Sequence, residues 1–199
     1  MDTSRAFVAI ELDTASSGVI AKWIQTLKSK VSDVRWSRAD QLHLTLKFLG
    51  DVDNRELPQL CDAMREACQG IEAFGLELSG LGAFPKNKPP RVVWVSAADP
   101  QGVLSRLAQR LDERFAELGI AKDNRAFTPH LTLGRVGRGV DLELLQQAIE
   151  QVGDQVACRC EVEEIVMLSS LRDEGRVVYD AIDRVELADQ ELEYQQLDD

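Results

Sequence analysis

The chain has little with which to hold a metal ion or to staple itself together. It contains two histidines and four cysteines in 199 residues. None of the cysteines (Cys61, Cys68, Cys158, Cys160) falls in a C-x-x-C spacing, so neither a zinc site nor a redox pair is expected. A chain of this size builds its core without disulfides, and reduced, structural thiols are the expectation. No run approaches the ~18–20 uncharged apolar residues that a membrane-spanning helix needs. The N-terminal MDTSRAF also lacks a basic stretch followed by an apolar one. A cytoplasmic protein without membrane contact is therefore expected.

Positive charge is scarce as well. Lysine and arginine number 23 against 34 aspartates and glutamates, a formal net charge of −11. Non-specific affinity for long nucleic acid comes from many cations displacing counterions, so any RNA substrate must be gripped locally. Part of the acidic excess lies at the end, where VELADQELEYQQLDD holds six acidic residues and no basic one. Residues 186–199 are expected to be a solvated, disordered acidic tail, outside one bilobal domain spanning residues 1–185.

What the chain does have, it has twice. Phe7 to Leu12 is a short β-branched run closed by Asp13, a good helix N-cap, and Val19, Ile20, Trp23, Ile24 and Leu27 follow at helical spacing. A polar connection then leads to HLTLKFLG at His43. In the second half VVWVS, from Val92, ends near Asp99; Val103, Leu104, Leu107, Leu111, Phe115 and Leu118 mark a helix, and HLTLGRV begins at His130. His43 lies 30 residues beyond Asp13, and His130 lies 31 beyond Asp99. Each half continues with a further helix (about 54–69 and 141–152) and another strand-like run (about 74–81 and 160–168). Duplicated halves of roughly 5–85 and 91–182 follow, separated by a loop rich in proline (Pro85, Pro89, Pro90). The fold class expected is α+β: two pseudo-symmetric lobes, each a mainly antiparallel sheet with outer helices, around a central cleft.

Both histidines head the same tetrapeptide, His43-Leu44-Thr45-Leu46 and His130-Leu131-Thr132-Leu133. Side chains alternate along a strand, so each His and Thr share one face while the leucines turn to the core. Two such faces across a cleft offer two imidazoles and two hydroxyls. Imidazole, with an unperturbed pKa of ~6.5, gives or takes a proton near neutrality. Two of them beside a phosphorus can act as general base and general acid, each role worth typically ~10²–10⁴ in rate. The residues alone leave open which histidine does which. Hydroxyls can donate to phosphate oxygens where charge develops.

The duplicated H-x-T pattern resembles that of the 2H phosphoesterase superfamily. RAFVAIEL at Arg5, VRWSRADQLHLTLKFLG from Val34, RVVWVS from Arg91, FTPHLTLGR from Phe127 and LSSLRDEGRVVYDAI from Leu168 are similar, in order, to blocks of its RNA 2′,3′-cyclic phosphodiesterase branch, also called 2′-5′ RNA ligases. The resemblance implies opening of a terminal 2′,3′-cyclic phosphate to a 2′-phosphate without metal or cofactor, and weak reverse joining of RNA ends. It implies catalysis by His43 and His130, and phosphate binding by Thr45, Thr132 and Arg135. The partners implied are RNA ends bearing cyclic phosphate, tRNA fragments among them, bound by a monomer.

Two alternatives stay open: a phosphodiesterase of small cyclic nucleotides, and a module that binds nucleotides or RNA ends without turnover. Several residues carry expectations of their own. Arg135, five residues beyond His130, reaches the histidine face only if the strand bulges or ends at Gly134. Lys47 has the parity to reach the cleft, though a surface position is the favoured reading. The basic loop Phe84 to Arg91 could touch an RNA backbone. Trp36, Trp94 and Phe48 could stack a base, with a place in the core favoured.

Overall fold

The computed structural model describes residues 2–85, 88–173 and 176–188. Nearly all of the acidic tail, and Lys86 and Asn87 of the basic loop, lie outside them.

The described residues form nine strands and four α-helices. The first half runs β1 (Thr3–Glu11), α1 (Thr14–Lys30), β2 (Val34–Trp36), β3 (His43–Asp53), α2 (Leu57–Cys68) and β4 (Phe74–Phe84). The second runs β5 (Val92–Ala98), α3 (Val103–Glu117), β6 (His130–Val136), α4 (Leu142–Val152), β7 (Val156–Val162), β8 (Glu164–Asp173) and β9 (Arg176–Glu186). Three of the four α-helices described, α1, α3 and α4, start where an aspartate can accept their free N–H groups. Asp13 accepts from the Ser16 N–H at 2.7 Å and from its hydroxyl at 2.8 Å. These bonds hold its carboxyl below the usual range. Asp99 takes the N–H groups of Leu104 and Ser105 at 3.0 and 2.9 Å, and Asp141 those of Glu143 and Leu144 at 3.0 and 3.1 Å.

The strand order is β7-β4-β5-β6-β3-β1-β8-β9, antiparallel at every pairing, with β2 added beside β6. Its centre is the junction of β6 with β3, where a single rung, Leu44 opposite Leu131, joins two half-sheets into one. The order reads alike outward from that junction: β6, β5, β4, β7 on one side and β3, β1, β8, β9 on the other. This is consistent with the duplication read from the sequence. The halves of the sequence are nevertheless not the lobes. β4 of the first half pairs with β5 of the second, and β8 of the second pairs with β1 of the first. The helices cross in the same sense, α1 packing near β7 and α4, and α3 near β3 and α2.

One apolar cluster runs under both half-sheets. It joins Val8, Ile10, Leu44, Leu46, Leu131 and Leu133 from the strands to Ile20, Ile24 and Leu27 of α1 and Leu104, Leu107, Leu111 and Phe115 of α3. Each such side chain contributes about 1.5–3 kcal/mol on burial. The leucines of both tetrapeptides are therefore fixed toward the helices, and the other face is left free. Two expected elements differ. The run read as one strand over 160–168 is two, because β7 ends at Val162 and β8 starts at Glu164. The three-residue β2 was too short to show a periodicity of its own.

Candidate active site

The single rung sets the site. With Leu44 opposite Leu131 on antiparallel strands, His43 lies beside Thr132 and Thr45 beside His130. All four point away from the buried leucines, on one face. The two imidazoles therefore stand on one face, diagonal to each other across the rung. Because β3 and β6 pair at one position only, they part on either side of it, which gives the face its cleft.

The two histidines are held alike. Nδ1 of His43 lies 2.8 Å from the carbonyl of Gln41, and Nδ1 of His130 lies 2.7 Å from the carbonyl of Thr128. A carbonyl can only accept, so each Nδ1 carries the hydrogen and each neutral ring keeps Nε2 as its basic atom. Aromatic rings fix the orientation from the sides. His43 has Phe7 at 4.9 Å and Tyr179 at 5.0 Å between centroids; His130 has Phe84 at 5.2 Å and Trp94 at 6.1 Å. Trp94 lies across the bare backbone of Gly82, where a Cβ would come within 2.1 Å of its ring. The surroundings differ in depth. Burial lowers the His43 pKa from its ordinary value, against the opposing pull of the Gln41 carbonyl and the charge of Glu11, its partner on β1.

Among the described residues no protein group bonds the hydroxyl of Thr45 or Thr132, and both are only half-buried, so both can meet a ligand. Arg135 reaches the same face by a bulge, one of the two ways that the sequence left open. Thr132 pairs with Trp94 and Gly134 with Val93, which leaves Leu133 as an extra residue and reverses the alternation beyond it. Gly134 turns inward, where a Cβ would press within 2.9 Å of Val34 and 3.0 Å of Trp36. Arg135 turns outward and is exposed. All five expected site residues, His43, His130, Thr45, Thr132 and Arg135, thus share one face.

The same bulge in β3 overturns both readings of Lys47. Thr45 pairs with Ala9 and Lys47 with Val8, so Leu46 is the extra residue and Lys47 is sent inward. It is neither in the cleft nor on the surface but 2% exposed. Its ammonium meets Asp112 at 2.6 Å, Asp123 at 3.2 Å and the Ala121 carbonyl at 2.8 Å. Phe48 then takes the outward place, 64% exposed rather than in the core, with Phe7 at 6.0 Å. Trp36 packs against the core as favoured, whereas Trp94 backs His130. Phe7, Tyr179 and Phe84 were not singled out from the sequence, because only the folded register brings them to the histidines. The carbonyls of Gln41 and Thr128 carry no residue-type signal at all.

The thiols stay out of this face. Burial pushes Cys61, Cys68 and Cys160 up to about 11. Among the described residues, no three His, Cys, Asp or Glu side chains cluster as metal ligands would, and no helix is long and apolar enough to cross a membrane.

The architecture is that of a 2H phosphoesterase. It superposes on the crystal structure of Escherichia coli LigT complexed with 3′-AMP with a TM-score of 0.77 and 28% identity, over 94% of this chain and 99% of that one. TT0787 of Thermus thermophilus shares the fold with a TM-score of 0.78 at 24% identity and the same coverage. A sequence profile of the 2′-5′ RNA ligase superfamily matches residues 17–174. Relatives named RNA 2′,3′-cyclic phosphodiesterase occur in Methanothermobacter thermautotrophicus, 36% identical over 132 residues (66% of this chain, 71% of that one), and in Archaeoglobus fulgidus, 36% identical over 134 residues (67% and 73%). The chain belongs to the 2′-5′ RNA ligase superfamily.

Proposed function

We propose that the protein is an RNA 2′,3′-cyclic phosphodiesterase in which His43 and His130 divide proton transfer. The observation that carries this reading is the pair of Nε2 atoms left free on one face, each on a ring whose Nδ1 is committed to a backbone carbonyl. His43, whose neutral form burial favours, is the general base. It takes a proton from water as the water oxygen bonds to phosphorus. The bond from phosphorus to O3′ breaks, and protonated His130 delivers the proton that O3′ requires. The product is a 2′-phosphomonoester and a 3′-hydroxyl, with each histidine left in the other's starting state and restored by exchange with solvent. The hydroxyls of Thr45 and Thr132 donate to the non-bridging oxygens, and the Arg135 guanidinium adds a charge-assisted contact.

No step calls for a metal or cofactor. With a ribose 5′-hydroxyl in place of water, the same proton transfers give a 2′-5′ linkage, which accounts for weak joining. The expected setting is the cytoplasm, as a monomer acting on RNA ends such as tRNA fragments. The names of the relatives and the complex of LigT with 3′-AMP support a nucleotide-ended substrate. The net charge of −11 favours a second reading, in which small cyclic nucleotides are the preferred substrates.

The test is incubation of the purified protein, with EDTA present, with an oligonucleotide ending in a 2′,3′-cyclic phosphate. Phosphorus NMR of the product should show the 2′-phosphomonoester. A 3′-phosphate would overturn the direction of opening, and activity abolished by EDTA and restored by zinc or manganese would overturn the mechanism.

A further inference from the structure

Arg35 of β2 stands directly opposite Arg135 of β6 as its Cα partner. Residues directly opposite on antiparallel strands point to the same face, so Arg35 shares the side of the sheet that carries the two histidines. Both arginines are exposed, and among the described residues no carboxylate or carbonyl bonds either guanidinium. Like charges directly opposite one another weaken a sheet, yet this pair is left without a counter-ion in a protein of net charge −11. Between them lies an open pocket of about 360 Å³, lined by Asp33, Val34, Arg35, Arg135, Val136 and Gly137. Its one carboxylate, on Asp33, turns to the backbone and accepts from the N–H of Gly139 at 2.5 Å.

The site is built rather than incidental. Asp33 adopts a left-handed backbone, φ 59°, and its carbonyl accepts from Gly137 at 2.8 Å. A Cβ on Gly137 would fall within 2.7 Å of Asp33. These contacts clamp β2 to the end of β6. From Thr132 to Arg135 the bulged strand advances roughly 7–10 Å at ~3.3 Å per residue. Arg135 can reach back from there to the reacting phosphate, and Arg35, on the added strand beside it, stands about one phosphate farther out.

We infer that Arg35, beside Arg135, forms a second anion subsite that holds the phosphodiester on the 5′ side of the terminal nucleotide. This rests on the phosphodiesterase reading above and deepens it. The subsite selects a polynucleotide end over a cyclic mononucleotide, which has no phosphate to place there. It also reconciles local RNA binding with an acidic chain, since two arginines and one pocket do the gripping.

The test compares three substrates with wild-type protein and the Arg35→Gln and Arg35→Lys variants: a cyclic-phosphate-ended dinucleotide, the same molecule with a neutral methylphosphonate linkage, and a 2′,3′-cyclic mononucleotide. In wild type the methylphosphonate should raise KM about tenfold. In Arg35→Gln the natural dinucleotide should lose about the same factor, and the methylphosphonate should cost little more. Arg35→Lys should recover part of the loss, and the salt dependence of log KM for the dinucleotide should fall by roughly 0.7 in slope in Arg35→Gln. Equal sensitivity to the methylphosphonate in wild type and Arg35→Gln would overturn the subsite while leaving the phosphodiesterase reading intact. Failure of wild type to open any of the three would overturn that reading, and the subsite with it.

Discussion

Phe48 and Arg135 occupy the same place in the two motifs, each five residues beyond its histidine and each turned outward by a bulge at the preceding leucine. The duplicated backbone thus offers an exposed aromatic ring on one side of the rung and a guanidinium on the other. A pseudo-symmetric frame acquires a direction in this way: an aromatic ring beyond Thr45 at one end of the face and a cation beyond Thr132 at the other.

That asymmetry predicts unlike defects. Arg135→Ala should raise KM for every cyclic-phosphate substrate and lower kcat, because it weakens a contact to the reacting group. Phe48→Ala should raise KM by roughly tenfold with little change in kcat if the ring stacks a base, worth about 1–3 kcal/mol. Thermal unfolding should hardly move for Phe48→Ala, the ring being already exposed. Steady-state kinetics on one oligonucleotide decides between the two patterns, and a fall in kcat alone for Phe48→Ala would remove the stacking role.

The histidines should behave as a unit. His43→Ala and His130→Ala are each expected to lower kcat by at least ~10², and the double variant by far less than the product of the two, since either loss already stalls the proton relay. Single-turnover rates with the three variants measure this. Near-normal turnover in one single variant would take that histidine out of the chemistry.

The pH profile follows from the burial of His43. A general base works in its neutral form, which is lost as pH falls through its pKa. Burial lowers that pKa, so the acidic limb of kcat/KM should lie below the ordinary value of ~6.5. The alkaline limb reports deprotonation of the acid, giving a bell whose limbs belong to the coupled pair. Rates from pH 4.5 to 9 test it, and an acidic limb above 7 would count against His43 as the base.

Lys47 should matter for stability rather than for chemistry. Its ammonium meets Asp112 and Asp123 from a buried stem, so Lys47→Ala removes the counter-charge of Asp112 and empties the space the stem filled, and should cost about 2–5 kcal/mol. Burial raises the Asp112 carboxyl, but the hydrogen bonds from Lys47 and from the Asp123 N–H, with the nearby lysine charges, outweigh it and leave the net shift downward. A carboxyl depressed on folding stabilises above its unfolded pKa of ~3.9 and loses that contribution as pH falls through the folded value. Urea unfolding at pH 7 and pH 3 should therefore separate wild type from variant more at the higher pH. Equal separation at both would contradict the pairing.

Much of this was legible in the residues. The repeated H-x-T at matched offsets placed His43, Thr45, His130 and Thr132 together, because strand alternation is a strict period of two. Arg135 was legible only conditionally, through a glycine that permits a bulge. Lys47 and Phe48 were misread: β3 bulges at Leu46 without any glycine there, so parity counted along the chain aims Lys47 at the cleft, and neither the usual surface place of a lysine nor the usual core place of a strand aromatic holds beyond the bulge. The rings of Tyr179 and Phe84 became visible only once β9 and β4 had found their partners, since register is settled by tertiary packing. The short β2, and with it Arg35 opposite Arg135, carried no period long enough to read.

The exchange of strands and helices between the halves has a consequence for how the protein could be divided. A cut between β4 and β5 yields two pieces, and each owns parts of both lobes but the whole of neither. Either piece alone would expose unpaired strand edges and an uncovered apolar face, a state prone to aggregate. Produced together, the two pieces should find each other and restore turnover by complementation, with a dissociation constant that measures how firmly the crossover locks the two histidines at their working separation.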